Sequence, residues 1–122
     1  MNIYIYFKGK KISTSVKQTN FFIRGLGLTF RTRDTKNLLF EFNREVTWQG
    51  NLTSLFVFFP FLTIWLDQKN KVLDYRVINP FVLCIKQNKK FRSIIEIPIN
   101  NKNKSTIVRF IVNKNYKRYF RR

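Results

Sequence analysis

The stretch Leu55–Asp67, Leu-Phe-Val-Phe-Phe-Pro-Phe-Leu-Thr-Ile-Trp-Leu-Asp, is strongly apolar and decides the fold. It is too short to cross a bilayer as a helix, which takes about 20 residues, and Pro60 would break a helix near its middle. β-branched and aromatic residues favour strands. We therefore predict two strands that meet at Pro60, a polar turn over Asp67–Lys71 and a returning strand over Val72–Ile78. Such a continuous apolar run is covered on both faces or closed into a barrel.

The rest of the chain also has the pattern of short strands separated by turns. We predict strands over Ile3–Phe7, Ile12–Val16, Leu38–Phe42, Phe81–Ile85 and Phe91–Ile99, with a last strand over Ser105–Val112. Phe21–Arg31 is predicted to be a loop or short helix, Arg44–Asn51 and Gln87–Lys90 to be polar turns, and Asn100–Lys104 to be a linker. The fold class is therefore mainly β: a small closed or partly open β-barrel with short loops or helical turns and basic terminal extensions.

Charge is distributed unevenly along the 122 residues, whose net charge is +18. Residues 1–24 carry five basic side chains and no acid, and residues 101–122 carry eight and no acid. We divide the chain into a basic N-terminal strand or extension (1–20), a β-barrel-like domain (21–100) and a basic C-terminal extension (101–122). A charge of this size repels itself and is usually neutralised by a polyanion, with nucleic acid the first candidate and anionic lipid the second.

The sequence lacks the residues that common enzyme and metal sites need. It has no histidine and one cysteine, Cys84, which lies in an apolar run. Zinc sites and Cys–His or Ser–His pairs therefore cannot be assembled. A carboxylate site built from Glu41, Asp67 or Glu96 has no base, metal ligands or phosphate loop beside it. We predict no catalytic residue, no metal and no cofactor. Since the N-terminus lacks the pattern of a secretory signal, we expect an intracellular protein.

Several short motifs occur in a fixed order along the chain. They are Gly27-Leu-Thr-Phe-Arg31, Leu38-Leu-Phe-Glu-Phe42, Phe56-Val-Phe-Phe-Pro60, Trp65-Leu-Asp67, Val72, Pro80-Phe81 and Ile95-Glu-Ile-Pro98. Together they resemble domain-of-unknown-function family 192, especially its archaeal members, over about residues 21–100. The resemblance implies a small, mostly β, barrel-like fold and no activity, because the family has no established one.

Three positions depart from the pattern of that family. Thr29 stands where the family has Met, Leu62 where it has Asp in the central strand pair, and Asn100 where it has Gly after the last strand. If the family has a polar site around that Asp, this chain has lost it. Loss of polar positions together with gain of basic ends suggests that the scaffold serves in structural binding.

The C-terminal segment Asn113–Arg122 carries five basic residues and three aromatic ones. Basic side chains neutralise phosphates, and aromatic rings stack on unpaired bases; the alternative is a solvated tail.

The function predicted is a structural RNA-binding protein, foremost a lineage-specific ribosomal protein that contacts ribosomal RNA and neighbouring ribosomal proteins in the cytosol or an organelle matrix. The alternatives are a non-ribosomal RNA-binding protein and a peripheral membrane-surface protein. The predicted RNA-binding residues are Lys8, Lys10, Lys11, Lys17, Lys102, Lys104, Arg109, Lys114, Tyr116, Lys117, Arg118, Tyr119, Phe120, Arg121 and Arg122.

Overall fold

The fold was established from a computed structural model, which describes residues 1–19, 36–52, 59–79 and 85–110. These residues are mainly in strands, as the sequence predicts. The last described segment is a 3₁₀ turn, Asn101–Asn103, followed by one short helix, α1. The strands and helix, in chain order, are β1 (Asn2–Phe7), β2 (Lys10–Ser15), β3 (Lys17–Thr19), β4 (Leu38–Leu52), β5 (Phe61–Leu66), β6 (Val72–Ile78), β7 (Ile85–Pro98) and α1 (Lys104–Ile107).

Among the described residues, the strands form two sheets that do not close into a barrel. β1 and β2 make an antiparallel hairpin, and the other five strands lie in the order β3-β4-β7-β5-β6. β3 continues from β2 after Val16 and runs parallel to β4. At the other side of the hairpin, Tyr6 makes a parallel bridge with Lys71, and its amide donates to the Asn70 carbonyl. The hairpin thus spans the gap between the two edges of the larger sheet, which gives a partly open β fold.

The apolar run is explained by the burial of both faces of β5, since Leu62, Ile64 and Leu66 lie in one apolar cluster and Phe61 and Trp65 lie in another. β5 pairs with β6 on one side and with β7 on the other, and all six of its residues are buried. The predicted burial of Trp65 and Leu66 is confirmed. The turn before β6 is also confirmed, because Asp67 Oδ1 accepts hydrogen bonds from the backbone amides of Lys69 and Lys71.

Two apolar clusters form the core of the described residues, and one of them joins the hairpin and the last described segment to the larger sheet. Ile5 and Ile12 of the hairpin and Ile107 and Phe110 near the end of the described chain are buried in the same cluster as Leu62 of β5. The second cluster contains Leu38, Phe40, Phe59, Phe61, Trp65, Ile78, Phe91 and Ile94.

Two stretches predicted as polar turns are instead paired strands. Arg44–Asn51 belongs to β4 and Gln87–Lys90 belongs to β7. The two pair with each other, with Trp48 opposite Gln87 and register shifts along the ladder. Backbone hydrogen bonds between the strands satisfy these polar segments, so they need not end in turns.

The predictions for the last described segment are also wrong. Asn100–Lys104 is a capped turn instead of a linker, because the Asn100 side chain accepts a hydrogen bond from the Asn103 amide. The predicted strand from Ser105 is replaced by α1, whose Ile107 is fully buried. The predicted loop at 21–31 and the predicted strands over 55–58 and 81–84 lie outside the described residues.

Candidate nucleic-acid interface

The tip of the β1–β2 hairpin concentrates positive charge. Phe7 pairs with Lys10, which leaves Lys8 and Gly9 as a two-residue turn. Both turn residues have positive φ, 51° and 76°, as the type I′ turns that suit hairpins require. This tight turn places three lysines, including Lys11, within four residues of one another at the tip.

The first cleft lies between this tip and the segment after α1. It has a volume of about 390 Å³, and its described lining combines the apolar residues Phe7, Ile12 and Val108 with three cations. Phe7 is held in place because its ring stacks on Phe110 at 4.5 Å. The cations at the rim are Lys8, Lys10 and Arg109.

Two adjoining clefts lie at the other end of the hairpin and share Ser15, Val16 and Lys36. Their volumes are about 280 and 340 Å³. Lys102 lines the smaller one and Lys17 the larger one, so three lysines surround this pair of clefts.

Amide side chains set the shape of the smaller cleft. Asn37 is buried, and its Nδ2 donates to the Ser15 carbonyl at 3.0 Å and to Asn103 Oδ1 at 3.3 Å. Asn103 in turn donates through Nδ2 to the Pro98 carbonyl at 2.8 Å. These bonds tie the hairpin, the start of β4 and the turn after β7 together, and the lysines project from a fixed frame.

Acidic side chains do little to neutralise these clefts. No acidic residue is among the described residues that line them. Glu41 reaches the margin of the larger cleft by accepting a hydrogen bond from Gln18 at 2.7 Å. Asp74 is paired with Arg76 at 3.1 Å on β6. Although partial burial opposes it, hydrogen bonds from Gln87, Arg76 and its own strand hold the pKa of Asp74 below its ordinary value.

A buried carboxyl lies in the larger sheet. Glu96 of β7 is paired with Thr63 of β5 and with Leu38 of β4. Burial raises its pKa from 4.5 to about 8, so this carboxyl is largely neutral at pH 7. Within the described part of the chain, Glu96 Oε1 and Thr63 Oγ1 have no hydrogen-bond partner.

The residues of the chain that the structure describes offer no metal site. No three His, Cys, Asp or Glu side chains come together among them. Leu62 of β5 is fully buried in an apolar cluster.

The structure brings together part of the predicted RNA-binding set. Lys8, Lys10 and Arg109 meet at the first cleft, while Lys17 and Lys102 belong to the pair of clefts at the other end. Lys11 lies on the outward face of the hairpin, and Lys104 is exposed at the start of α1. The other predicted residues lie outside the described part of the chain: Lys114, Tyr116, Lys117, Arg118, Tyr119, Phe120, Arg121 and Arg122.

The lysine and the buried amide just before β4 were not among the residues predicted from the sequence. Lys36 and Asn37 precede β4 and are far from the other lining residues along the chain. They join the clefts because Lys17 of β3 pairs with Leu38 of β4, and the Lys17 amide donates to the Asn37 carbonyl at 2.7 Å. No local pattern in the sequence signals this long-range parallel pairing.

No membrane-crossing helix is found in the described ranges, where every helix is too short for that.

Comparisons with known proteins show similarity of fold. No family profile matches the sequence, and no curated protein matches it. The chain is similar to a crystal structure of a protein of unknown function from Novosphingobium aromaticivorans DSM 12444, with a TM-score of 0.68, 12% identity, and coverage of 88% of this chain and 78% of that one. It is also similar to a proposed transcription regulator from Sinorhizobium meliloti 1021, with a TM-score of 0.68, 14% identity, and coverage of 84% and 81%. At these identities the two structures establish a shared fold and nothing about activity.

Proposed function

We propose that this protein binds structured RNA as an architectural component, with ribosomal RNA and neighbouring ribosomal proteins as its partners in the cytosol or an organelle matrix. The observation that carries the proposal is the charge of the clefts. Six cations line them, and no acidic side chain is found among their described lining residues. A ligand that neutralises such a surface must offer several negative charges at once, as the phosphates of a nucleic acid do.

The separation of the clefts favours an extended polyanion. The first lies at Lys10 and the other two lie at Ser15, the two ends of β2. Strand residues rise about 3.3 Å each, so the clefts are roughly 17 Å apart. One phosphate group cannot reach both ends, whereas several nucleotides of one RNA strand can.

In this proposal the protein contacts RNA through electrostatic interactions and fixes its position, and it catalyses no reaction. Lysine ammonium groups bind phosphate oxygens and release counterions. The amide hydrogen bonds of Asn37 and Asn103 hold together the backbone segments that carry Lys36 and Lys102. The C-terminal segment Asn113–Arg122 adds basic and aromatic side chains to this contact, as its sequence predicts.

The proposal can be tested with two variants that lose the same charge. Lys36→Gln/Lys102→Gln removes two cations of the paired clefts, and Lys89→Gln/Lys90→Gln removes two exposed cations of β7. The affinity of each variant for a folded ribosomal RNA fragment is measured by fluorescence anisotropy at several salt concentrations. We expect the cleft variant to reduce the slope of log affinity against log salt by about 1.5, at roughly 0.7–0.9 per lost phosphate contact.

The β7 variant should keep the slope of the parent protein. Equal slopes in the cleft variant and the parent would contradict the proposed contact. Duplex DNA of matched length and anionic vesicles serve as competing ligands in the same assay. Stronger binding to either than to RNA would contradict RNA as the partner and indicate the other ligand.

A further inference from the structure

Two tyrosines stand exposed on the outward face of the β1–β2 hairpin. Alternation in β1 places Ile3, Ile5 and Phe7 toward the protein and leaves Tyr4 49% and Tyr6 42% exposed. In the described part of the chain, Met1 is the only other large hydrophobic residue that is exposed. Burying tyrosine rings stabilises a protein, so two exposed rings on one strand indicate a binding surface.

Lysines flank these rings on both sides. Tyr6 is paired with Lys11 of β2 and with Lys71, which directly precedes β6. Cross-strand partners lie on the same face of a sheet, so Tyr6 is in a row between two lysines. Lys11 also reaches diagonally to Tyr4, where its Nζ lies 4.3 Å from the ring centroid.

The residues around the two tyrosine rings have short, polar side chains. Tyr4 faces Ser13 and Asn2 faces Ser15 across the hairpin. These short side chains leave the rings standing above the face. A membrane-binding surface would need more large apolar residues for insertion, and a stable protein interface would need a wider apolar centre.

The spacing of the rings fits nucleobases. Residues two apart on one strand are separated by about 6.6 Å, close to twice the roughly 3.4 Å step between stacked bases. Every base has a face that can stack on an aromatic ring, while its phosphate can reach a neighbouring lysine.

We propose that the outward face of the hairpin binds an unpaired RNA segment, with bases stacked on Tyr4 and Tyr6 and phosphates held by Lys11 and Lys71. This inference rests on the proposed RNA-binding function and names the part of the RNA that this surface takes. The clefts hold the backbone of the RNA, and the tyrosine face selects nucleotides that are not in a helix.

The test compares two RNAs of the same length and charge, one fully paired and one with three unpaired nucleotides. Fluorescence anisotropy gives the affinity of the full chain for each. We expect the parent protein to prefer the RNA with unpaired nucleotides on the order of tenfold, the gain that stacking of one or two bases supplies. Abasic sites at the unpaired positions should abolish this preference, because they keep the phosphates and remove the bases.

Protein variants assign the preference to the rings. Tyr4→Thr/Tyr6→Thr keeps residues that favour strands and should remove the preference, whereas Tyr4→Phe/Tyr6→Phe should retain it because the rings remain. Lys36→Gln/Lys102→Gln should weaken binding to both RNAs alike. A Thr variant that keeps the preference, or abasic RNA that binds as well as the intact form, would overturn the inference.

The assay also separates this inference from the proposed function. Salt-dependent binding to both RNAs without any preference would refute the tyrosine site and leave the proposed function standing. Absence of binding to either RNA would refute both. Flotation with anionic vesicles that depends on the two rings, without preference between the RNAs, would assign this face to lipid and overturn the inference.

Discussion

The stability of this protein should fall as pH rises through the neutral range, because of Glu96. This carboxyl is buried between β4 and β5, and burial raises its pKa from 4.5 to about 8. Between these two values the folded protein holds a proton that the unfolded chain has released. The free energy of unfolding then decreases with pH, by at most about 1.4 kcal/mol per pH unit for one proton.

The sign of the effect follows from proton binding. Below pH 4.5 the carboxyl is protonated in both states and contributes no slope, and above pH 8 it is ionised in both. In between, each rise in pH favours the unfolded state. The chain has no histidine, so few other side chains titrate between pH 5 and 8. The lowered pKa of Asp74 acts only at pH values below this range.

Urea denaturation followed by tryptophan fluorescence at pH 5, 6, 7 and 8 measures this slope. Glu96→Gln replaces the carboxyl with a group that does not titrate, so its unfolding free energy should be nearly constant over the range. Glu41→Gln is the matched control, because Glu41 is exposed on β4, and this variant should keep the slope of the parent. Parallel slopes in the Glu96→Gln variant and the parent would refute the burial argument.

Three further predictions concern the hairpin and the C-terminal end. Ile107→Ala should lower the free energy of unfolding in urea by about 2–5 kcal/mol, since Ile107 is fully buried; a change below 0.5 kcal/mol would mean that α1 is not part of the core. Gly9→Ala should cost about 1–2 kcal/mol in thermal unfolding because φ is +76°, although no atom lies within 4 Å of the added carbon; an unchanged melting temperature would contradict the turn geometry. Changing Arg118, Arg121 and Arg122 to Gln should reduce the salt slope of RNA binding by about two to three, and an unchanged slope would place these residues away from the RNA.

Local patterns were enough to predict the central strands and the hairpin. The run through β5 is apolar except at Thr63 because both faces of the strand are buried, with alternate residues packed in the two core clusters. In the hairpin, the alternation of Ile3, Ile5 and Phe7 with polar or aromatic neighbours matches one buried face, and Gly9 supplies the turn. These features depend on residues close together in the chain, so the sequence displays them directly.

The errors arose where distant pairing or burial overrides local preference. The polar end of β7 has the composition of a turn, yet Gln87 pairs with Trp48 and its side chain donates to Asp74 at 2.9 Å. The β-branched residues after Lys104 favour a strand, but they form a short helix that follows the turn capped by Asn100 and buries Ile107. Neither effect is visible before the long-range contacts are known.

The positive charge of the candidate interface could be predicted from the sequence, but the arrangement of its residues in space could not. The lysines of the hairpin and of the last segment were predicted from the distribution of charge along the sequence. The position of Lys36 beside the clefts depends instead on the pairing of β3 with β4. The alternation in β1 could have identified Tyr4 and Tyr6 as outward-facing residues. Their role becomes apparent once Lys71 is placed beside Tyr6 by the contact with the β5–β6 turn.

We propose that the protein works bound to structured RNA in a ribosome, and a sucrose-gradient profile of the native protein measures this binding. A lysate is sedimented at low salt, at high salt and after ribonuclease treatment, and the protein is detected in each fraction. We expect the protein to sediment with a ribosomal subunit at low salt and to move to the top of the gradient after either treatment, because phosphate contacts hold it. Protein that remains at the top under all three conditions would refute binding to the ribosome.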